Sequence, residues 1–372
     1  MLIKTLADLK LTPAERALLD QHGFDFATFC ELQKALANGQ FGPERNITTH
    51  TLAPPPASDL IHLPEPESPE GNELEALGLE AIRKGQVAVA VLNGGMATRF
   101  GGRVKGVVEV ADGKSFMELR LGDIRDAQGQ VPVFLMNSFA TEVETKRHLD
   151  EHHWFGLAPT HVHLLTQRIF VRLMPTGEVF RDRHGRIGFY APGHGDVFEV
   201  LAASAGFKAF ASQGGKLLAI SNIDNLGATL CPRVLGAHLK AAKPVTVEVA
   251  DREPGDKGGA PVLVDGRLAV LEGFRFPKSF DIGQVPVFNT NSMVVNVSAV
   301  KPNYSLTWFR ADKDVEGQSV VQFERLMGEV TSFVDAAYLW VPRDGNAGRF
   351  MPVKTPQDLE IIKPLVRKRF HL

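Results

Sequence analysis

Apolar residues recur along the chain in two rhythms. In Val87 to Leu92, Val131 to Asn137 and Lys216 to Asn222 nearly every position is apolar, which suits strands covered on both faces. His161 to Leu165 reads as a further strand. Helical spacing lies between them: Glu73 to Lys84, with Leu74, Leu77 and Ile82 in phase and Gly85 just past the end, and Ser115 to Arg125. Thr141 to His152 predicts a polar helix. Gly193-His194-Gly195-Asp196 predicts the start of another, capped by Asp196 and reaching about Gly206. Strands and helices alternating at this spacing predict an α/β domain with a mixed, mostly parallel sheet. In such sheets ligands gather beyond the carboxyl ends of the strands. The polar groups that follow Leu92, Met136 and Ile220 fall at such ends.

The remaining pattern frames that domain. Thr12-Pro13-Ala14-Glu15 and Thr355-Pro356-Gln357-Asp358 are helix starts with the N-cap threonine followed by proline at the first turn. A short helix is expected from Asp25 to Asn38-Gly39. Thr51 to Gly71 is proline-rich and reads as an extended connector or a strap on the main body. Residues 1–86 are thus expected to form a helical segment and connector, and 87–372 the principal domain. Val245–Val249 and Val262–Val264 alternate, and Asp265-Gly266 signals a tight hairpin, so the middle third should add antiparallel strands. Gln318 to Phe333 has helical spacing at Val321, Leu326 and Val330, and Ala337 to Val341 is the last expected strand.

Composition narrows the function. The chain has 372 residues, 44% hydrophobic and 23% charged, with a formal net charge of −2. That balance argues against a nucleic-acid binder held by charge. No segment approaches the ~18 apolar residues of a membrane span, and no secretory h-region follows the amino terminus. Cys30 and Cys231, the two cysteines, make neither a disulfide framework nor a thiolate metal site. The expectation is a cytoplasmic protein working on a small molecule, without nucleic-acid or membrane partners.

The candidate chemistry centres on the loop after Leu92, Asn93-Gly94-Gly95-Met96-Ala97-Thr98-Arg99, with Arg103 and Lys105 close behind. Adjacent glycines let backbone N–H groups approach a ligand, and the cations favour phosphate. The spacing fits neither G-x-G-x-x-G nor G-x-x-x-x-G-K-[ST]. A bare strand-to-loop turn with surface cations is the plainer alternative. Asp224, after the Leu217–Ser221 run and between Asn222 and Asn225, is placed either to hold Mg²⁺ carried by a nucleotide or to close an Asx turn. His148-Leu149-Asp150-Glu151-His152 matches H-x-x-E-H, but lacks a third ligand and reads as a solvated helix face. Lys354 alone reads as a surface lysine.

Taken in order, Leu92–Thr98, Val133–Phe139, Pro192–Asp196, Ser221–Thr229, Lys257-Gly258-Gly259, Phe288–Asn291, Val320–Glu324 and Pro352–Thr355 resemble the UDP-glucose pyrophosphorylase family. The resemblance implies a Rossmann-like, glycosyltransferase-A-like nucleotidyltransferase core that joins UTP to a sugar 1-phosphate with Mg²⁺. It implies nucleotide binding by Leu92, Asn93, Gly94, Gly95, Met136, Gln167, Gly193 and His194, and sugar binding by Asn222, Gly259, Glu272, Asn289 and Asn291. Lys105, Lys354 and Arg99 would be the catalytic cations and Asp224 the metal ligand. Ala97 and Ala191 replace residues usual in the family, Ser292 follows Asn291, and Arg103-Val104-Lys105-Gly106 is a shortened lysine block; these bear on the sugar more than on the reaction. No C-terminal β-helix is expected and the oligomeric state stays open. The expected substrate is glucose 1-phosphate. The alternatives are another sugar 1-phosphate (galactose or an N-acetylhexosamine) and a nucleotide-sugar-binding protein without turnover.

Overall fold

The computed structural model describes residues 2–127 and 129–372. Its centre is an eight-stranded sheet. In chain order the strands are β1 (Leu60–His62), β2 (Val87–Leu92), β3 (Val133–Asn137), β4 (Val162–Thr166), β5 (Leu217–Asn222), β6 (Val245–Asp251), β7 (Val287–Asn296) and β8 (Ala336–Trp340). Across the sheet they run β1-β8-β6-β7-β5-β2-β3-β4. All neighbours are parallel except β7, which is antiparallel to both β6 and β5. The α/β architecture with a mixed, mostly parallel sheet is therefore observed.

The helices are α1 (Pro13–Gln21), α2 (Phe26–Ala37), α3 (Pro69–Arg83), α4 (Phe116–Arg125), α5 (Glu142–Glu151), α6 (Val197–Ala203), α7 (Ala205–Ser212), α8 (Pro232–Ala241) and α9 (Pro356–Phe370). They cover both faces of the sheet, which is why β2 is apolar at every position. Val87, Val89 and Val91 pack toward Leu74 and Ile82 of α3, Phe116 and Met117 of α4, Leu235 of α8 and Val366 of α9. Ala88, Ala90 and Leu92 point the other way, toward Phe198, Leu201 and Phe207. Full burial of each such valine or leucine contributes about 1.5–3 kcal/mol. No helix among the described residues is long and apolar enough to cross a membrane.

Residues before β2 are sewn to this body. Leu19, Phe29 and Leu36 share a core with Phe170, Tyr190, Val321 and Phe323. The proline-rich stretch pairs Leu52 and Ala53 with Val264 and Leu263, and then adds β1 to the sheet edge beside β8. The Asp265-Gly266 hairpin forms as expected, both residues at positive φ.

Three elements differ from the sequence reading. Helix α3 starts at Pro69, since Ser68 Oγ accepts from the Gly71 N–H at 3.0 Å and proline at the first turn lacks only an N–H that has no helical partner. The helix after Asp196 is broken at Ser204, whose extended backbone and hydroxyl recap α7 at Phe207. Asp196 is not a side-chain cap of α6. The helix expected over Gln318–Phe333 is instead a strand, Gln318–Glu324, antiparallel to Phe309–Val315 and followed by a short 3₁₀ segment, Met327–Ser332. Glu316 and Gly317, both at positive φ, make the two-residue turn that turns the chain back. Val321 also exchanges both backbone hydrogen bonds with Leu173, so pairing overrides the helical spacing.

The last tie is a buried ion pair. Arg349 donates to both carboxylate oxygens of Glu248 on β6, with side chains 6% and 5% exposed, and its Nη2 also reaches the Thr229 carbonyl at 3.2 Å. Arg349→Met is expected to lower unfolding free energy by about 3–5 kcal/mol, because it strands the Glu248 charge in the interior; urea unfolding monitored by circular dichroism measures it.

Candidate active site

The register of the sheet assembles the site. Asn222, Leu92 and Met136 are direct partners across β5, β2 and β3, so three strand ends stand side by side. Together with Gly94, Gly95, Lys105, Gln167, Ala191, Gly193, His194, Ile223, Asp224 and Glu324 they line a cleft of about 340 Å³.

Asn93 closes the first wall from behind. It is fully buried, and its Nδ2 donates to Asn137 Oδ1 at 2.8 Å and Thr145 Oγ1 at 2.9 Å. Its side chain thus anchors the loop and does not line the cleft. Gln167 lies so close over Gly94 that a Cβ there would fall 2.0 Å from Nε2. Gln167 is buried and its Oε1 has no hydrogen-bond partner, an acceptor left for a ligand donor.

The opposite wall is the turn through Gly193 and His194. Gly193 adopts φ 92° with the Arg325 carbonyl against it, a conformation and a closeness that exclude a side chain. The Met327 N–H donates to His194 Nδ1 at 3.1 Å, which leaves the neutral ring protonated on Nε2. Burial pushes the His194 pKa down to about 4, so the ring is neutral at physiological pH.

The charged end of the cleft is built by a strap from Arg349 to Lys354. The Leu226 N–H donates to the Met351 carbonyl at 3.2 Å and the Val353 N–H to the Asp224 carbonyl at 3.1 Å. Asn225 closes the Asx turn, its Oδ1 accepting from Gly227 at 3.1 Å and from Met351 at 2.8 Å. The half-buried Asp224 carboxylate is left facing the cleft. Burial pushes its pKa up, while Lys105 and Lys354 pull it back. Lys105 is buried, donates to the Val353 carbonyl, and has the rings of Phe100 and Phe116 at 4.4 and 5.0 Å. Burial lowers its pKa, and Asp224 and Asp358 oppose that shift. Lys354 is exposed beside the N-terminus of α9. Arg99 is exposed in a 3₁₀ turn outside the cleft lining, within electrostatic reach of Lys105.

The antiparallel strand β7 brings the other predicted residues in. A bulge opposite Glu248 and Val249 carries Asn291 at φ 60°, and its Nδ2 donates to Asn222 Oδ1 at 3.0 Å. The Asn289 N–H donates to the Gly259 carbonyl at 2.7 Å. A Cβ on Gly328 would lie 3.1 Å from Glu272 Oε1 and 3.4 Å from Asn289 Nδ2, so those groups face one point. A Cβ on Gly259 would lie 3.2 Å from Glu272 Oε2. Glu272, Gly259 and Asn289 therefore form a polar cluster joined to Asn222 at the cleft through Asn291, whose N–H donates to Asn289 Oδ1 at 2.9 Å.

Sequence reasoning missed Ala191, Ile223 and Glu324 as lining residues. Ile223 was findable from its place between Asn222 and Asp224. Glu324 ends the Val320–Glu324 block of the resemblance, but the helical reading of that segment gave it no place at the strand ends. The H-x-x-E-H pair is structural: His148 Nε2 is 2.9 Å from Ser115 Oγ, and His152 stacks on Phe155. No group of three His, Cys, Asp or Glu that could hold a metal exists among the described residues.

The model of the UTP–glucose-1-phosphate uridylyltransferase family matches residues 27–367. The chain is 32% identical over 309 residues to a UTP–glucose-1-phosphate uridylyltransferase of Musa acuminata, covering 77% of this chain and 64% of that protein. It is 31% identical over 332 residues to that of Saccharomyces cerevisiae, covering 82% and 65%. The chain thus spans just under two thirds of the length of these relatives. Among solved structures, a UDP-glucose phosphorylase from Trypanosoma brucei superposes with a TM-score of 0.72 at 28% identity, over 90% of this chain and 73% of that one. A uridine diphosphate N-acetylglucosamine pyrophosphorylase from the same organism gives 0.78 at 22% identity, over 96% and 81%, a likeness of fold.

Burial, then repulsion from Glu329, raises the Glu272 pKa from its ordinary 4.5 to about 7, with Arg275 opposing. Between those values the folded state holds a proton that the unfolded state has lost, so stability falls as pH rises through this window. Glu272→Gln should therefore gain stability relative to the parent chain as pH goes from 4.5 to about 7, with the gain constant above. Urea unfolding at pH 4.5, 6 and 8 tests this; a pH-independent difference contradicts it.

Proposed function

The chain belongs to the UTP–glucose-1-phosphate uridylyltransferase family, and from that premise we propose that it joins UTP and glucose 1-phosphate into UDP-glucose and pyrophosphate, in the cytoplasm. The observation that carries the reading is the half-buried Asp224 carboxylate between Lys105 and Lys354, at one end of a glycine-walled cleft. Two polyanions must meet for this reaction, and that end offers the charges they need.

The uracil would lie between Gly94, Gln167 and the Gly193-His194 turn, with Leu92, Gly95 and Met136 beneath it. Gln167 Oε1 would accept from a ring N–H. The backbone of the Asn93-Gly94-Gly95 loop would approach the nucleotide. The sugar would lie toward the polar cluster of Glu272, Asn289 and Gly259, past Asn222 and Asn291. An oxygen of the sugar phosphate attacks the α-phosphorus of UTP. The bond from that phosphorus to the β-phosphate bridging oxygen breaks, and pyrophosphate leaves with the electron pair. The attacking group is already an anion, so no general base is needed. Alignment and neutralisation carry the catalysis. Lys105 and Lys354 would stabilise charge developing on the phosphates, and Arg99, exposed in the 3₁₀ turn after the loop, would do so on departing pyrophosphate.

The donors fit Mg²⁺ as the metal. Asp224 supplies one carboxylate, and Mg²⁺ is commonly held by one or two carboxylates with substrate phosphates and water completing its shell. Bound there it would neutralise phosphate charge and hold the phosphates in line.

The test is pyrophosphate release from UTP with Mg²⁺ against glucose, galactose and N-acetylglucosamine 1-phosphates. Glucose 1-phosphate is expected to be preferred. Release with another sugar alone moves the specificity and keeps the chemistry, whereas UDP-glucose binding without release of pyrophosphate from any sugar would establish a non-catalytic binding protein. Lys105→Ala is expected to lower kcat by about 10²–10³ with UDP-glucose affinity changed less than about fivefold. Steady-state kinetics and calorimetry measure the two.

A further inference from the structure

Behind the cleft, four charged side chains tie its two walls together without lining it. Arg168 directly follows Gln167 on one wall. Asp196 lies two residues after His194 on the other, with Glu199 one turn beyond. Arg325 comes from the strand–3₁₀ segment that passes behind both. Asp196 is 0% exposed and the Arg325 side chain 6%. Arg325 donates through Nη2 to Asp196 and through Nη1 to Glu199 at 2.8 Å. Arg168 donates its backbone N–H to Asp196 Oδ2 at 3.0 Å, and its guanidinium meets Asp196 at 3.4 Å and Glu199 at 2.5 Å. The Trp308 ring covers the Arg325 guanidinium at 4.6 Å.

The backbone of Arg325 completes the clamp. Its carbonyl accepts from the Gly195 N–H at 2.9 Å and its N–H donates to the Pro192 carbonyl at 2.8 Å, one bond on each side of His194. The network holds two cations and two carboxylates and so balances. For stability alone, well-packed apolar side chains would serve as well. What paired guanidinium forks add is direction, since each bond fixes an angle as well as a distance.

We propose that Arg325 and Asp196 are positioning residues for the nucleotide. They hold the Gln167 wall and the His194 turn at one separation and so set the width of the slot that takes the base. The inference rests on the reading of this cleft as a uridine-nucleotide site.

The main variant is Asp196→Asn with Arg325→Gln, which keeps Arg168 and Glu199 as a balanced pair and leaves no lone buried charge. It is expected to fold, to raise KM for UTP about tenfold, and to keep kcat and KM for glucose 1-phosphate within about threefold, because misplacing a binding wall weakens only what that wall binds. Binding of UMP and of UDP-glucose, read by calorimetry, should weaken by the same tenfold. Arg325→Lys, which keeps the charge and loses the fork, is the second variant and should show an intermediate rise in KM for UTP even if the double variant does not fold. Wild-type UMP affinity in either folded variant overturns the positioning role. A uniform loss across UTP, sugar phosphate and kcat also overturns it, since that is the signature of general loosening. A parent chain that binds no uridine nucleotide overturns the reading of the cleft and this inference with it.

Discussion

The ion pair between Arg349 and Glu248 is the constraint on which the charged end of the cleft depends. It lies between β6 and the strap that leads into α9, and both side chains are almost wholly removed from solvent. Its geometry fixes where the strap runs. From there Met351 and Val353 lock to the segment after β5, and the Val353 carbonyl meets Lys105. One buried pair far along the chain thereby determines how a lysine from the first loop and a carboxylate from the fifth strand face each other.

The site built on this frame is a balance of like and unlike burial. A carboxylate at Asp224 is unfavourable in its surroundings until Lys105 and Lys354 offset it, and Lys105 is unfavourable until Asp224 and Asp358 do. Each group compensates the other, and both would gain from an incoming partner of opposite charge. The other end of the cleft, the proposed nucleotide side, works differently. There the groups are neutral: a histidine that burial keeps unprotonated, an amide with one free acceptor, and glycines where a methyl would not fit. Charge at one end and shape at the other suit a ligand that is itself half polyanion and half flat ring.

The single antiparallel strand explains how a second polar cluster joins the cleft. In an all-parallel sheet every strand would deliver its carboxyl end to the cleft. Because β7 runs backward, its leading half lies there, and its bulge turns Asn291 onto Asn222. Insertion of β7 between β6 and β5 therefore couples the Glu272 cluster to the strand ends through Asn291 and Asn222.

Local chemistry was enough to read much of this. The valine-rich β2, the threonine caps of α1 and α9 with proline after them and the Asp265-Gly266 turn follow from side-chain and backbone preferences that act within a few residues, and so does the row of strand ends where Leu92, Met136 and Asn222 meet. The ordered motifs carried Met136, His194 and Asp224 to one family resemblance, which also implied Gln167, and the fold brings the four into one cleft. Tertiary structure alone decided the rest. Gln318–Glu324 has helical spacing, yet becomes a strand because Leu173 and the Phe309–Val315 segment offer hydrogen bonds from more than a hundred residues away and from across a turn. Asn93 stands beside the glycines in sequence, yet its side chain is buried against Asn137 and Thr145. Asp196 looks like a cap, but two arginines outbid the helix N–H groups for it. In each case the deciding partner is distant along the chain, and no local preference can register a partner that only folding brings near.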